Sequence, residues 1–185
     1  MRIIGGTYRG TALAAVGKGD AGAHLRPTTD RVRESLFNVL QGGRFGDPIN
    51  DMRVLDLFAG TGALGLEALS RGAAHVTLVD SGRVAQKLIR ENVAKLRRQD
   101  DATVLGVDAV KLPQGEACQL VFLDPPYGQA LGGKALATAK AAGWLAPDAV
   151  IVWEESNPQI APPGFTGLDQ RRYGDTWVSF LCHDA

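Results

Sequence analysis

From Arg53 onward, short apolar runs alternate with stretches in which apolar residues recur every three or four positions. The runs at residues 54–58, 76–80, 104–107, 120–124 and 149–153 predict strands, short and mostly uncharged enough to be buried on both faces. The stretches at 64–71, 83 to about 98, and about 133–142 predict helices. In the second of these Val84, Leu88, Ile89, Val93 and Leu96 would point inward. Two further strand candidates, 169–173 and 177–182, are joined across Gly174-Asp175, a sequence suited to a tight hairpin turn.

The first fifty residues read differently. A short hairpin candidate at 3–13 is followed by a loose Gly/Ala-rich stretch at 14–23. A helix is predicted over 30–40, with Val32, Leu36, Val39 and Leu40 on one face and Gly42-Gly43 ending it. The expected division is therefore an N-terminal extension, 1–50, and an α/β domain, 51–185, with no evident linker. Alternating βα units imply a mostly parallel sheet covered on both faces, and the closing hairpin adds antiparallel pairing. That is a Rossmann-like three-layer sandwich.

The chain has 185 residues, enough for one well-buried α/β domain and too few for two full ones. Net charge is zero, so no global basic field points to a nucleic acid. Within residues 1–45, however, seven basic residues face three acidic ones, and this basic arm could meet phosphates or simply be a solvated surface. Cys118 and Cys182 lack CxxC spacing and read as buried free thiols of a reducing compartment; the three histidines are scattered and suggest no metal site. No apolar leader opens the chain and no run approaches membrane-spanning length, so a cytoplasmic location is expected.

Two clusters carry chemistry. The first strand runs through Asp56 and Phe58 into Gly60-Thr61-Gly62 and Gly65, fitting G-x-G-x-x-G between a strand and a helix. Asp80 ends the next strand, where a carboxylate can take both ribose hydroxyls of an adenosine. That pattern fits NAD and S-adenosylmethionine alike. Asp56 favours the second, because an acid there suits ammonium and sulfonium charges and would repel a pyrophosphate. The third strand ends in Asp108-Ala109, where a carboxylate could take the adenine amino group. The bland alternatives are that Asp56 caps its loop and Asp108 starts a turn.

The second cluster is Asp124-Pro125-Pro126-Tyr127, which closes the run Leu120-Val121-Phe122-Leu123. Consecutive prolines stiffen the corner and leave carbonyl and carboxylate acceptors at a strand's carboxyl end. Such a corner could accept both N–H bonds of one NH₂ group while Tyr127 stacks on the ring that carries it. The alternative is a rigid surface turn.

Together these residues resemble the class I S-adenosylmethionine-dependent amino-methyltransferases. Within them the chain is similar to the bacterial 16S rRNA guanine-N2 methyltransferase family (RsmD-like). The likeness spans the opening Met1-Arg2-Ile3-Ile4-Gly5-Gly6 and the narrower block from Arg26-Pro27-Thr28-Thr29-Asp30-Arg31 to Asn38. It continues through Gly65-Leu66-Glu67-Ala68-Leu69-Ser70-Arg71 and Tyr173-Gly174-Asp175-Thr176. Asp80 stands where that family often has the longer Glu, keeping the charge.

The resemblance implies methyl transfer to the exocyclic N2 of one guanine in small-subunit ribosomal RNA, on an assembled or assembling particle. Asp124, Pro125, Pro126 and Tyr127 would be catalytic. Asp56, Phe58, Gly60, Gly62, Asp80, Asp108 and Ala109 would hold S-adenosylmethionine, and Arg2, Arg9, Arg26, Arg31 and Arg33 would contact RNA. The rivals are a DNA adenine-N6 methyltransferase, an NAD-dependent oxidoreductase, and a non-catalytic RNA-binding assembly factor. The first would need a recognition domain for which little chain remains, and the second leaves the Asp-Pro-Pro-Tyr corner without a use.

Overall fold

A computed structural model describes residues 1–15 and 28–185. Arg26 and most of the loose stretch 14–23 lie outside them. Among the described residues, seven strands form one sheet: β1 Arg53–Leu57, β2 His75–Val79, β3 Ala102–Leu105, β4 Cys118–Leu123, β5 Leu145–Glu155, β6 Phe165–Tyr173 and β7 Thr176–His183. Four α-helices accompany them in the same residues: α1 Asp30–Gln41, α2 Ala63–Ser70, α3 Arg83–Leu96 and α4 Leu131–Ala141, with a short 3-10 turn at Gln99–Asp101. Strand order is β3-β2-β1-β4-β5-β7-β6. The first five strands are parallel, and β7 runs antiparallel between β5 and β6, as the closing hairpin predicts.

The central strands are buried on both faces, which is why they read as continuous apolar runs. Alternate residues divide between two cores. Val54, Val76, Leu120 and Phe122 join α1, α2 and α3, whereas Leu55, Val79, Val121 and Leu123 join α4 and Trp144. The N-terminal extension is continuous with the first core, to which it contributes Ile3, Leu13, Leu36, Phe37, Leu40 and Ile49. It covers α2, whose eight residues are all buried. The buried Glu67 of that helix accepts from the Ile4 and Gly5 amides, at 2.8 Å each, and pairs with Arg71.

Several local expectations change. The hairpin at 3–13 holds backbone bonds such as Ile3 N–H to the Thr11 carbonyl, but only one antiparallel bridge, Arg2 with Ala12. The face that α1 buries is Arg33, Leu36, Phe37 and Leu40, not the predicted set with Val32 and Val39. The helix is rotated because Phe37 packs on Phe122, ring centres 5.6 Å apart. Val84 stays 39% exposed because its side chain borders the open space at the sheet's carboxyl edge, while the adjacent Ala85 is buried. Strand β3 ends at Leu105, so Asp108 lies beyond the strand and not at its tip. Cys118 is buried, and its thiol is pushed up to about 11 by desolvation; Cys182 is only half-buried.

Register places the site. Leu57 is level with both Val79 and Leu123, and Leu123 with Trp153. The next residue on each strand therefore falls on one row: Phe58, Asp80, Asp124 and Glu154. The order reverses between β1 and β4, and this switch point at the carboxyl edge is where open α/β sheets bind ligands.

Candidate active site

A cavity of about 1080 Å³ opens over that row. Ligand pockets typically span about 300–1,000 Å³, so this one has room for a nucleoside and a second ring. Its wall includes Asp56, Phe58, Gly60, Asp80 and Asp108 together with all of Asp124, Pro125, Pro126 and Tyr127. The two clusters, nearly seventy residues apart in sequence, thus face one space.

The loop after β1 is built for close backbone approach. Phe58, Gly60 and Gly62 adopt left-handed conformations with φ of 60°, 59° and 80°. Glycine accepts this readily, whereas Phe58 carries backbone strain at the site. Asp80 ties the loop down, one carboxylate oxygen accepting from the Gly60 amide at 2.9 Å and the other from Gly82 at 2.8 Å. Gly65 serves packing instead. A Cβ there would lie 2.7 Å from both Leu78 and Val76, so its absence lets α2 approach β2.

Asp56 is 1% exposed and accepts from the Gly65 amide at 2.9 Å. Its carboxyl is pushed up to about 7, first by desolvation and then by the charges of Asp80 and Glu154, against the Gly65 hydrogen bond. The capping role and the cavity-facing role are both present in this one side chain. Asp108 behaves similarly, accepting from the Val110 amide at 3.1 Å while lining the cavity. Ala109 differs from expectation: its side chain is buried in the core on the α4 face, because the turn after β3 tucks it inward. Ala109 is 3% exposed and is not part of the cavity wall.

At the second cluster, the Asp124 amide donates to the Leu57 carbonyl at 3.4 Å, joining the corner to β1. Pro125 is buried and Pro126 exposed, so the turn is anchored on one side. The Tyr127 hydroxyl pairs with Thr176 Oγ1 at 3.1 Å, which fixes the ring against the β6–β7 hairpin tip.

Other wall residues were not picked out from the sequence. Glu154, 3% exposed, accepts from the Thr28 hydroxyl at 3.4 Å. Tyr173 meets Ser35 at 3.1 Å, and Thr28, Val84 and Arg83 also line the wall. A carboxylate following an apolar run, the cue that flagged Asp124, was equally available for Glu154. The cavity wall carries Asp56, Asp80, Asp108, Asp124, Glu154 and Asp175 against Arg83. Such a lining favours a cationic ligand and disfavours a pyrophosphate.

The basic arm divides. Arg2, Arg9 and Arg31 are exposed. Arg33 is fully buried, and this corrects its assignment as an RNA contact. Its Nη2 donates to the Arg2 carbonyl and to Asp30, the latter at 2.9 Å, while desolvation lowers the guanidinium's pKa. Burial on the face of α1 that meets the core makes it a strut between that helix and the N-terminal segment. We expect Arg33→Ala to lower the thermal midpoint, because it removes packing along the whole aliphatic stem as well as the ion pair. Arg33→Met, which keeps much of that packing, should restore most of the loss. RNA affinity and its salt dependence should be unchanged in Arg33→Met; a weaker salt dependence there would return the residue to the RNA surface.

Sheet order, the glycine loop at the switch point and the acidic cavity define a class I, Rossmann-like methyltransferase. Residues 1–182 match the family described as Conserved hypothetical protein 95. Ribosomal RNA small subunit methyltransferase D of Escherichia coli K12 is 41% identical over 156 residues, 83% of this chain and 74% of the relative. The protein of that name from Haemophilus influenzae is 35% identical over 94% of this chain and 89% of its own. The solved yhhF structure from Escherichia coli is 36% identical and superposes with a TM-score of 0.85, covering 100% of this chain and 98% of its own. An RNA methyltransferase from Salinibacter ruber, solved with S-adenosyl-L-homocysteine, is 14% identical with a TM-score of 0.66 over 86% of this chain and 94% of its own, a likeness of fold. The chain belongs to the Conserved hypothetical protein 95 family, the RsmD family of methyltransferases.

Proposed function

We propose that this methyltransferase uses S-adenosylmethionine to methylate the exocyclic N2 of a guanine in small-subunit ribosomal RNA. The observation that carries the reading is the single cavity lined by both the glycine loop and the Asp124-Pro125-Pro126-Tyr127 corner. The relatives named as small-subunit rRNA methyltransferases support the RNA class, and the Salinibacter complex supports the donor.

The wall fits the donor. Asp80 and the Gly60 backbone suit the ribose, Asp108 the adenine edge, and Asp56 the ammonium and sulfonium charges. The donor supplies an electrophilic methyl group on sulfur. The target base must leave its stack to reach the cavity. There the Asp124 carboxylate and the Pro125 carbonyl accept the two N–H bonds of the amino group and aim its nitrogen. Tyr127, held by Thr176, offers a stacking face worth about 1–3 kcal/mol for a base. The nitrogen gains the methyl and its proton passes to solvent. Catalysis by this chain is then positioning and electrostatic complementarity.

Residues 1–50 would supply RNA contacts through Arg2, Arg9, Arg26 and Arg31. The substrate would be an assembled or assembling small subunit in the cytoplasm. Among the described residues no helix is long and apolar enough to cross a membrane.

The test is incubation with labelled S-adenosylmethionine and small subunits, or rRNA, from cells lacking the activity, followed by nucleoside analysis. N2-methylguanine is the expected product. N6-methyladenine would move the assignment to the adenine enzymes, and binding of RNA without any product would favour an assembly factor.

A further inference from the structure

Beside the cavity lies a second, shallower concavity that the reaction does not use. It has a volume of about 530 Å³ and is walled by α1, the loop that follows it, and β6. Three arginines, Arg31, Arg44 and Arg171, converge on it from these separate elements, with Asn38, Ser35 and the acidic Glu34 between them. Arg31 and Arg44 are exposed, and the Arg171 side chain is 40% exposed. In a chain with zero net charge, three guanidiniums on one concavity are a local feature.

Two of the three are held in place. Asp169 Oδ2 accepts from Arg44 Nη1 and from Arg171 Nε, both at 3.0 Å, and Arg44 Nη2 donates to the Leu168 carbonyl at 3.3 Å. One carboxylate shared by two guanidiniums leaves a net positive charge and fixes both stems. Each guanidinium carries five donors, so these bonds leave others for an oxyanion.

The groove also adjoins the active site. Ser35 lines the groove, Tyr173 lines the cavity, and their hydroxyls meet at 3.1 Å. Likewise Arg31 of α1 lines the groove while its neighbour Val32 lines the cavity.

We propose that this groove binds the phosphodiester backbone of the RNA strand flanking the target base, with Arg44 and Arg171 as phosphate contacts beside Arg31. The inference rests on the RNA-methyltransferase reading and names the surface that reading leaves open. A base turned into the cavity leaves its own sugar-phosphate at the mouth, and the adjoining phosphates then run across the Ser35–Tyr173 seam into the groove. Phosphate contacts of this kind set register and orientation without reading sequence.

The test is binding of small-subunit rRNA from cells lacking the activity, as a function of salt, by Arg44→Gln, Arg171→Gln and the double variant. Arg90→Gln, on the exposed face of α3, is the charge-matched control for each single variant, and Lys87→Gln with Arg90→Gln for the double. The double variant should bind about tenfold more weakly near physiological salt, with its log–log salt slope reduced by about 1.5, while its control matches the parent. S-adenosylmethionine affinity should stay unchanged, and in turnover assays KM should rise with kcat retained. Lysine at both positions should recover most of the salt slope, since it keeps the charge. The single variants leave Asp169 one arginine partner, beside the Gln170 amide, and remain informative if the double variant is unstable. Unchanged RNA affinity and slope in folded single variants would reduce the cluster to an ion-pair staple between the α1–β1 loop and β6. An equal loss in the matched controls would show that only net charge matters. Binding needs no turnover, so a parent that binds RNA through these arginines yet makes no N2-methylguanine would sink the reaction assignment and leave the groove standing.

Discussion

Asp124→Ala is expected to lower methyl transfer by about two orders of magnitude while S-adenosylmethionine affinity changes less than about threefold. The carboxylate sits on the same row as Asp80 and Glu154, at the mouth of the switch point, and lines the cavity. An aromatic amine is a poor nucleophile because its lone pair is delocalised into the ring. Two acceptors that hold its N–H bonds and localise that pair matter most in the transition state. A hydrogen bond to a charged group is worth about 1.5–3 kcal/mol, and each ~1.4 kcal/mol is tenfold in rate. The glycine loop is fixed independently, by Asp80 on the Gly60 amide and by Asp56 on Gly65. Donor binding and chemistry should therefore separate. Single-turnover rates at saturating donor, with donor affinity from calorimetry, measure the two. Near-normal rates in a folded Asp124→Ala protein would make the corner a structural turn.

What could be read from the sequence, and what could not, follows from how local each cue was. The strands at β1, β2 and β4 were legible because a parallel strand buried on both faces is dominated by apolar residues, with few polar interruptions such as Asp56 and Thr77. The glycine loop and the Pro-Pro corner were legible because their backbone demands select residue types. The rotation of α1 was not. Arg33 looked like one more basic surface residue, and only the packing of Phe37 on Phe122 turns it into the core. Val84 fell on an apolar helical stripe, yet the first turn of α3 overhangs the cavity. Glu154 carries the same local cue as Asp124, a carboxylate closing an apolar run, whereas the Arg44–Asp169–Arg171 cluster joins residues 125 positions apart, which no local pattern carries. Among the arginines assigned to RNA, charge alone could not separate the exposed Arg31 from the buried Arg33.

The affinity for S-adenosylmethionine is expected to rise with pH through about 7, and Asp56→Asn should abolish most of that rise. Desolvation raises the Asp56 carboxyl from an ordinary 3.8 to about 7 in the folded protein, helped by the neighbouring charges of Asp80 and Glu154. A group whose folded pKa is raised stabilises the fold fully below its unfolded pKa and loses that contribution as pH climbs through the folded value. Stability should thus decline between about pH 4 and about pH 7 in the parent, and less so in Asp56→Asn, whose amide oxygen can still accept from Gly65. Ligand binding runs the opposite way. A cation beside Asp56 favours the carboxylate, so binding near neutral pH expels a proton, and affinity increases until the group is already ionised. S-adenosylhomocysteine, which lacks the sulfonium charge, should show a shallower rise. Calorimetry in buffers of different ionisation enthalpy reads the released proton directly. At about pH 8 the loss of the charge should weaken donor binding in Asp56→Asn by about tenfold or more, a difference near 1.4 kcal/mol. Donor affinity that is flat with pH in the parent, or that keeps its slope in Asp56→Asn, would remove Asp56 from charge recognition and leave it as the cap of α2.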